Sequence, residues 1–205
     1  MKKPALIFIF GLLSYSRLFS EEIAFPPELM WWIYEIRKVN AAVEIQDFKF
    51  AGETREDIIY YDSLKMLLKY PVLMRWNYSG NYFAYNDYHR ADISRTRSGK
   101  YRIGAFDDVS YLMIADRNKK VFLCESFGLN KSLDAVYWLT DTVLVGAGEA
   151  IYGDTVHVLI SRYTIDMKNN KILIKTYFYE NAYKTADRKF LKTRWFEHRN
   201  DYFED

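Results

Sequence analysis

Beyond Pro71 the apolar residues of this chain change their spacing from every third or fourth position to every second. They keep that alternation, broken by polar turns and by the segment His89 to Lys100, as far as Tyr179. A period of two is the signature of strands that are buried on one side, so this stretch is committed to antiparallel sheet. Its first unit is a hairpin, Met74 to Tyr78 and Asn81 to Tyr85 around a Ser79-Gly80 turn. That register sets Trp76 opposite Phe83 and Met74 opposite Tyr85 on one face. Further strands are expected at 101–106, 111–115, 121–127, 135–139, 142–146, 155–165 and 171–179. Asp, Asn, Lys and Thr occupy the turns between them.

Two segments echo each other. Trp76 is followed by a turn and a strand, as Trp138 is, and Asp116-Arg117-Asn118-Lys119 matches Asp166-Met167-Lys168-Asn169 ahead of an apolar strand. The first unit carries extra residues, which fit in His89 to Lys100, where no apolar period exists. Each unit is similar to a four-stranded propeller blade. Two blades cannot close a ring of about four to eight, so either two sheets pack face to face with helices covering an edge or several chains complete a ring. The helices offer apolar cover, and the first is expected.

The helices come first in the chain. Phe25-Pro26-Pro27-Glu28 opens one, with proline in the first turn and an acid at the positive dipole end. Leu29, Trp32, Ile36, Val39 and Val43 form its single apolar stripe, and from Val43 onward the pattern drifts toward a helix tail or short strand before Gly52. Thr54 with Asp57 resembles a capping box for a second helix over 58–69, stopped by Pro71. The fold class expected is therefore α+β: two N-terminal helices packed on an antiparallel β-rich body of about eight strands, with a two-fold blade-like repeat.

Residues 1–20 carry Lys2-Lys3, an apolar run from Pro4 to Leu13, and a small, polar exit ending at Ser20. This is the form of a secretory signal peptide, too short for a membrane span. Cleavage after Ser16 or Ser20 fits, and Ser20 gives the more soluble start, Glu21-Glu22. Its removal takes away three cations and no acid, turning a formal charge of +2 into −1. The argument for nucleic acid from a basic balance goes with it. The remaining residues 21–205 read as one globular domain: a helical part (21–71), a first β unit (72–127), a second (134–179) and a C-terminal segment (180–205). The 18 Tyr, 14 Phe and 5 Trp exclude disordered and collagen-like classes and supply a core. Cys124 is the one cysteine, so packing must hold the exported domain without an internal disulfide.

Motifs for chemistry are sparse. Gly146-Ala147-Gly148 with Gly153 imitates a dinucleotide fingerprint, but its third glycine is too late and strand, not helix, follows. His89, His157 and His198 are isolated from one another, so no metal set is expected, and no cofactor. Asp107-Asp108, Asp134, Asp141, Asp154 and Asp166 fall at strand ends, where carboxylates serve turns or, in a cleft, acid–base hydrolysis. What stands out is a run of rings with amides between them. Tyr78, Tyr82, Tyr85 and Tyr88 with Asn81 suit a glycan or peptide surface, provided at least three of the four tyrosines are exposed together. Arg95 and Arg97 in the adjoining insertion add positive charge for an anionic envelope component.

The expectation is an exported, periplasmic or extracellular, non-catalytic protein of the bacterial cell envelope, without a transmembrane span once mature. It would bind a protein or glycan partner through Tyr78, Asn81, Tyr82, Tyr85, Tyr88, Arg95 and Arg97. Two rival readings are a hydrolase of envelope polymers using the strand-end carboxylates, and a structural subunit that oligomerises through its repeated sheets and the Leu29–Val43 helix.

Overall fold

The computed structural model describes residues 23, 25–87, 93–95, 97–99, 101–103, 110–128, 130–187 and 203–204. The leader, its cleavage sites, Tyr88, His89, Asp107-Asp108 and His198 lie outside the described residues.

The chain enters through a 3-10 turn, Pro27–Leu29, that leads into α1 (Met30–Val39). Pro26 is extended and Glu28 sits in the first turn, as the sequence implies. The helix ends at Val39, four residues before Val43 closes the apolar stripe. Asn40 leaves helical geometry, and its side chain accepts the Ala42 N–H at 3.0 Å while donating to the Ala182 carbonyl at 2.9 Å. An asparagine that bonds locally competes with the helix ladder and wins here. The stripe itself is sound, because Leu29, Trp32, Ile36 and Val43 are all buried.

The second expected helix is absent. Thr54 and Asp57 lie in β1 (Lys49–Asp57), an edge strand paired only with β11 (Lys171–Lys184) among the described residues. Almost all of β1 is exposed, so its sequence shows no apolar face, and charge pairs such as Lys171–Asp57 at 2.5 Å flank its ladder. After β1, the Ile58 N–H bonds to the Asn170 carbonyl of one sheet and the Tyr61 N–H to the Val121 carbonyl of the other. Backbone engaged across sheets cannot bond four residues back, and only a 3-10 stretch, Asp62–Leu67, follows.

The body is two antiparallel sheets. One has the order β1, β11, β10 (Thr155–Asp166), β9 (Val143–Tyr152), β8 (Lys131–Thr140), and the other β2 (Met74–Trp76), β3 (Tyr82–Asp87), β6 (Ser110–Asp116), β7 (Val121–Phe127). A small third sheet joins β4 (Ile93–Arg95), β5 (Tyr101–Ile103) and β12 (Phe203–Glu204). The hairpin register is the expected one, Met74↔Tyr85 and Trp76↔Phe83. Its loop is longer than two residues, since the Asn77 N–H bonds to the Tyr82 carbonyl and residues 78–81 form the turn, with Gly80 at φ 68°. The glycine-rich segment is sheet as expected, with Gly146 and Gly148 in β9 and Gly153 in the turn to β10.

Four layers result. The α1 stripe packs on Val145, Ala147, Val156, Val158 and Ile160 of the five-stranded sheet, so the helix covers a face rather than an edge. On the opposite face, Leu133, Leu144, Leu159, Tyr163 and Ile172 meet Ala84, Leu112, Ile114 and Phe122 of the four-stranded sheet. The outer side of that second sheet, Phe83, Tyr85 and Met113, is closed by Leu68 and Leu73. β8 touches all four strands of the second sheet and so runs across them, which is the crossed form of sheet packing.

β9 has no room for an ordinary residue at Gly148. A Cβ there would stand 1.9 Å from the Ser132 backbone oxygen, next to the irregularity in β8 between Leu133 and Ala135. Gly146 differs, because an added methyl would first meet the flexible tip of Leu133 at 3.0 Å. Gly148→Ala is expected to cost at least about 2 kcal/mol, whereas Gly146→Ala stays closer to the native value. Urea midpoints of the two variants check this.

Candidate functional site

The hairpin singled out in the sequence sits where the edges of the two main sheets meet. Four hydrogen bonds lock that corner. Trp138 Nε1 donates to the Arg75 carbonyl at 2.6 Å, and the Tyr78 hydroxyl donates to the Trp138 carbonyl at 3.1 Å. Asn77 Nδ2 donates to the Asp141 carbonyl at 2.9 Å, and the Ser79 N–H to Asp141 Oδ1 at 2.6 Å. Inside the turn, Asn77 Oδ1 accepts from the N–H groups of Asn81 and Tyr82. Arg117, in the β6–β7 turn, braces the loop through its N–H to the Asn81 carbonyl and its Nη2 to the Gly80 carbonyl.

The expected binding residues are dispersed by this arrangement, and the condition of three tyrosines exposed together is not met, because Tyr82 is half-buried and Tyr85 buried. Tyr78 is 71% exposed even though its hydroxyl is anchored, and Trp76 beside it is 48% exposed with its ring on Phe83 at 4.8 Å. Asn81 is exposed and its amide donates to Ser79 Oγ. Tyr82 is half-buried, edge-on to Phe122 at 5.6 Å. Tyr85 must be corrected, because it is 0% exposed and belongs to the core on the outer side of the second sheet. Strand alternation turns it to the same face as Phe83, which the 3-10 segments cover. Arg95 lies in β4 and Arg97 is exposed in the turn after it. The hairpin and this insertion leave β3 at opposite ends, so the topology does not make them one continuous loop surface.

The strand-end carboxylates are engaged in holding turns. Asp116 Oδ1 accepts the N–H groups of Asn118 and Lys120, Asp141 takes that of Ser79, and Asp166 takes those of Asn169. The Asn169 bonds hold the Asp166 carboxyl below its usual range. Asp154 pairs with Lys184 at 3.1 Å, and buried Asp134 accepts the Trp32 indole at 3.3 Å. Among the described residues no group of three or more His, Cys, Asp or Glu is arranged to hold a metal ion. No described helix is long and apolar enough to cross a membrane.

Two tyrosine–carboxylate pairs carry no signal in the sequence, because each joins strands that are distant along the chain. The Tyr163 hydroxyl donates to Glu125 Oε2 at 2.5 Å and links the two sheets, and the Tyr183 hydroxyl donates to buried Glu149 at 2.5 Å across the first. Burial drives the Glu125 carboxyl upward, against the opposing pull of its bond from Tyr163 and of Lys131. Burial and the Glu125 charge push the Tyr163 phenol well above its ordinary range. Cys124 is half-buried, and burial raises its thiol, the reverse of what a nucleophile needs.

A further cluster adjoins the hairpin. Tyr60, 46% exposed, stands edge-on to Phe122 at 6.0 Å, as Tyr82 does, and Tyr82 is directly opposite Asp116 across β3 and β6. Burial first, then Tyr60 and Asp116, raise the Tyr82 phenol. Tyr60 could not be found from periodicity, since it follows the charged edge strand in an irregular segment.

Comparison of the chain with protein-family models, with curated proteins and with solved structures finds no match.

Glu125 supplies a pH prediction. A carboxyl raised in the folded state holds its proton where the unfolded chain has released it, so stability falls as pH rises from the ordinary carboxylate range to the raised value. Glu125→Gln, whose amide oxygen still accepts from Tyr163, is expected to gain on the native protein across that interval. Melting temperatures at pH 4 and pH 8 test this, and parallel pH profiles for the two proteins would refute it.

Proposed function

We propose that the chain is an exported, non-catalytic protein of the bacterial cell envelope that binds a protein or glycan partner through the locked hairpin corner. The observation that carries the reading is Tyr78: a ring 71% exposed whose hydroxyl is nevertheless fixed to the Trp138 carbonyl. A large exposed ring held in one orientation contributes contact area without the ordering cost of a free side chain. Trp76 and Asn81 are exposed in the same hairpin, and the exposed Arg97 turn offers a separate positively charged contact. Export rests on the leader, Lys2-Lys3 followed by the apolar run to Leu13.

The two rival readings have less support. The carboxylates a hydrolase would use cap turns, and the helix stripe an oligomer would use is buried against Val145, Ala147 and Val158 of its own sheet. We further read the two meanders, β2-β3-β6-β7 and β8-β9-β10-β11, as copies of one internal repeat. Trp76 and Trp138 lie in their first strands, and Asp116 and Asp166 cap the turn between their third and fourth.

The test is retention of envelope extract on the immobilised protein. Trp76→Ala combined with Tyr78→Ala is expected to lower retention roughly thirtyfold, a loss on the scale of one interface hot spot. The native circular dichroism spectrum should be kept, and Arg95→Ala/Arg97→Ala serves as a separate surface control. Equal retention by the folded Trp76/Tyr78 variant would end the reading.

A further inference from the structure

Beside the locked hairpin, at the end of the face between the two sheets, three polar side chains lie near one another. Tyr82 and Asp116 are cross-strand partners, and their side chains share the face that carries Ala84, Leu112 and Ile114. Tyr60 reaches the same place from the segment that bridges the sheets, and both tyrosine rings stand edge-on to the buried ring of Phe122, at interplanar angles of 70° and 83°.

We propose that this cluster binds a saccharide, one pyranose residue lying against the Tyr60 and Tyr82 rings with its hydroxyls bonded to the two phenols and to the Asp116 carboxylate. The proposal rests on the binding reading above and names its ligand class. The chemistry favours a sugar over the alternatives. A vicinal diol both donates and accepts, which matches a carboxylate acceptor beside two phenols that do either. The Tyr82 phenol carries its proton near neutral pH, as an ordinary tyrosine does, and so can donate. A pyranose also presents an apolar C–H face, for which a flat ring is the natural platform. An extended peptide would need free backbone groups to pair with, but here the Tyr61 N–H is bonded to Val121, the Asp116 N–H to Lys120 and the Arg117 N–H to Asn81. A hard cation would need several carboxylates, and Asp116 already accepts two backbone N–H groups with one of its oxygens.

The experiment is a titration of the purified protein with cellohexaose and, in parallel, with the β-1,4-linked N-acetylglucosamine hexamer, followed by the ring resonances of labelled tyrosine. Saturable shifts at Tyr60 and Tyr82 are expected with at least one of the two. Tyr82→Phe, which keeps the ring and removes one hydrogen bond, is expected to weaken that binding roughly fivefold. Tyr60→Ala, at an exposed position, is expected to abolish it with the fold intact. Absence of saturable shifts with both hexamers up to about 10 mM, a weaker affinity than specific recognition shows, overturns the saccharide assignment. Unchanged affinity in Tyr82→Phe and Tyr60→Ala overturns the location. If the hexamers fail while envelope extract is still retained in a Tyr78-dependent way, only the ligand class falls. If retention fails too, the binding reading falls with it.

Discussion

The five-stranded sheet is covered on both faces, and the rest of the molecule is arranged to satisfy that demand. Val143 through Ala150 of β9 are buried without interruption, because α1 lies on one side and the second sheet on the other. A strand in that position needs apolar or small residues at every place, which explains why Val143 to Gly148 reads as an apolar run and imitates a nucleotide-binding loop. Each fully buried Leu or Val side chain there contributes roughly 1.5–3 kcal/mol relative to exposure. Gly148 contributes differently, by letting the Ser132 backbone approach where a side chain has no space.

Covering both faces has a consequence for polar groups. Glu149 and Asp134 lie in the same layer as the helix stripe, where an ionised carboxylate without partners would be costly. Each is met by a donor from a distant part of the chain, Glu149 by the Tyr183 hydroxyl and Asp134 by the Trp32 indole. Glu125 repeats the device between the sheets with Tyr163. These bonds join α1 to β8, β11 to β9 and β10 to β7. They add direction to a core whose apolar contacts have none, so a strand shifted by one residue would lose its partner as well as its packing.

Which parts of this were legible in the sequence follows from where the signals are local. The register of β2 and β3 is set by alternation around a short turn, and Met74, Trp76, Phe83 and Tyr85 carry it unambiguously. β1 is the opposite case. An edge strand held by backbone bonds to β11 needs no apolar face, so Thr54 and Asp57 look like a helix cap when nothing in the sequence says that Lys171 waits beside Asp57. The end of α1 turns on Asn40 reaching Ala182, a contact 142 residues away that no periodicity encodes. In the hairpin, Tyr78 and Tyr85 belong to the same ring-rich run. Only the strand pairing of Tyr85 and the cover from Leu68 and Leu73 divide the buried ring from the presented one.

That division bears on how a surface ring can act. An exposed tyrosine on a free loop must give up rotamer freedom, about 0.5–1.5 kcal/mol, when a partner immobilises it. At Tyr78 the ordering takes place during folding instead, because the Trp138 carbonyl holds the hydroxyl and Asp141 holds the turn beneath it. Trp138 is itself fixed by its indole bond to Arg75, one residue before Trp76. The corner that joins the sheets and the ring that faces solvent are therefore one hydrogen-bonded unit. Loosening Asp141 or Trp138 would free the ring and unfasten the sheet edges together, so stability and presentation at this surface are coupled through the same few bonds.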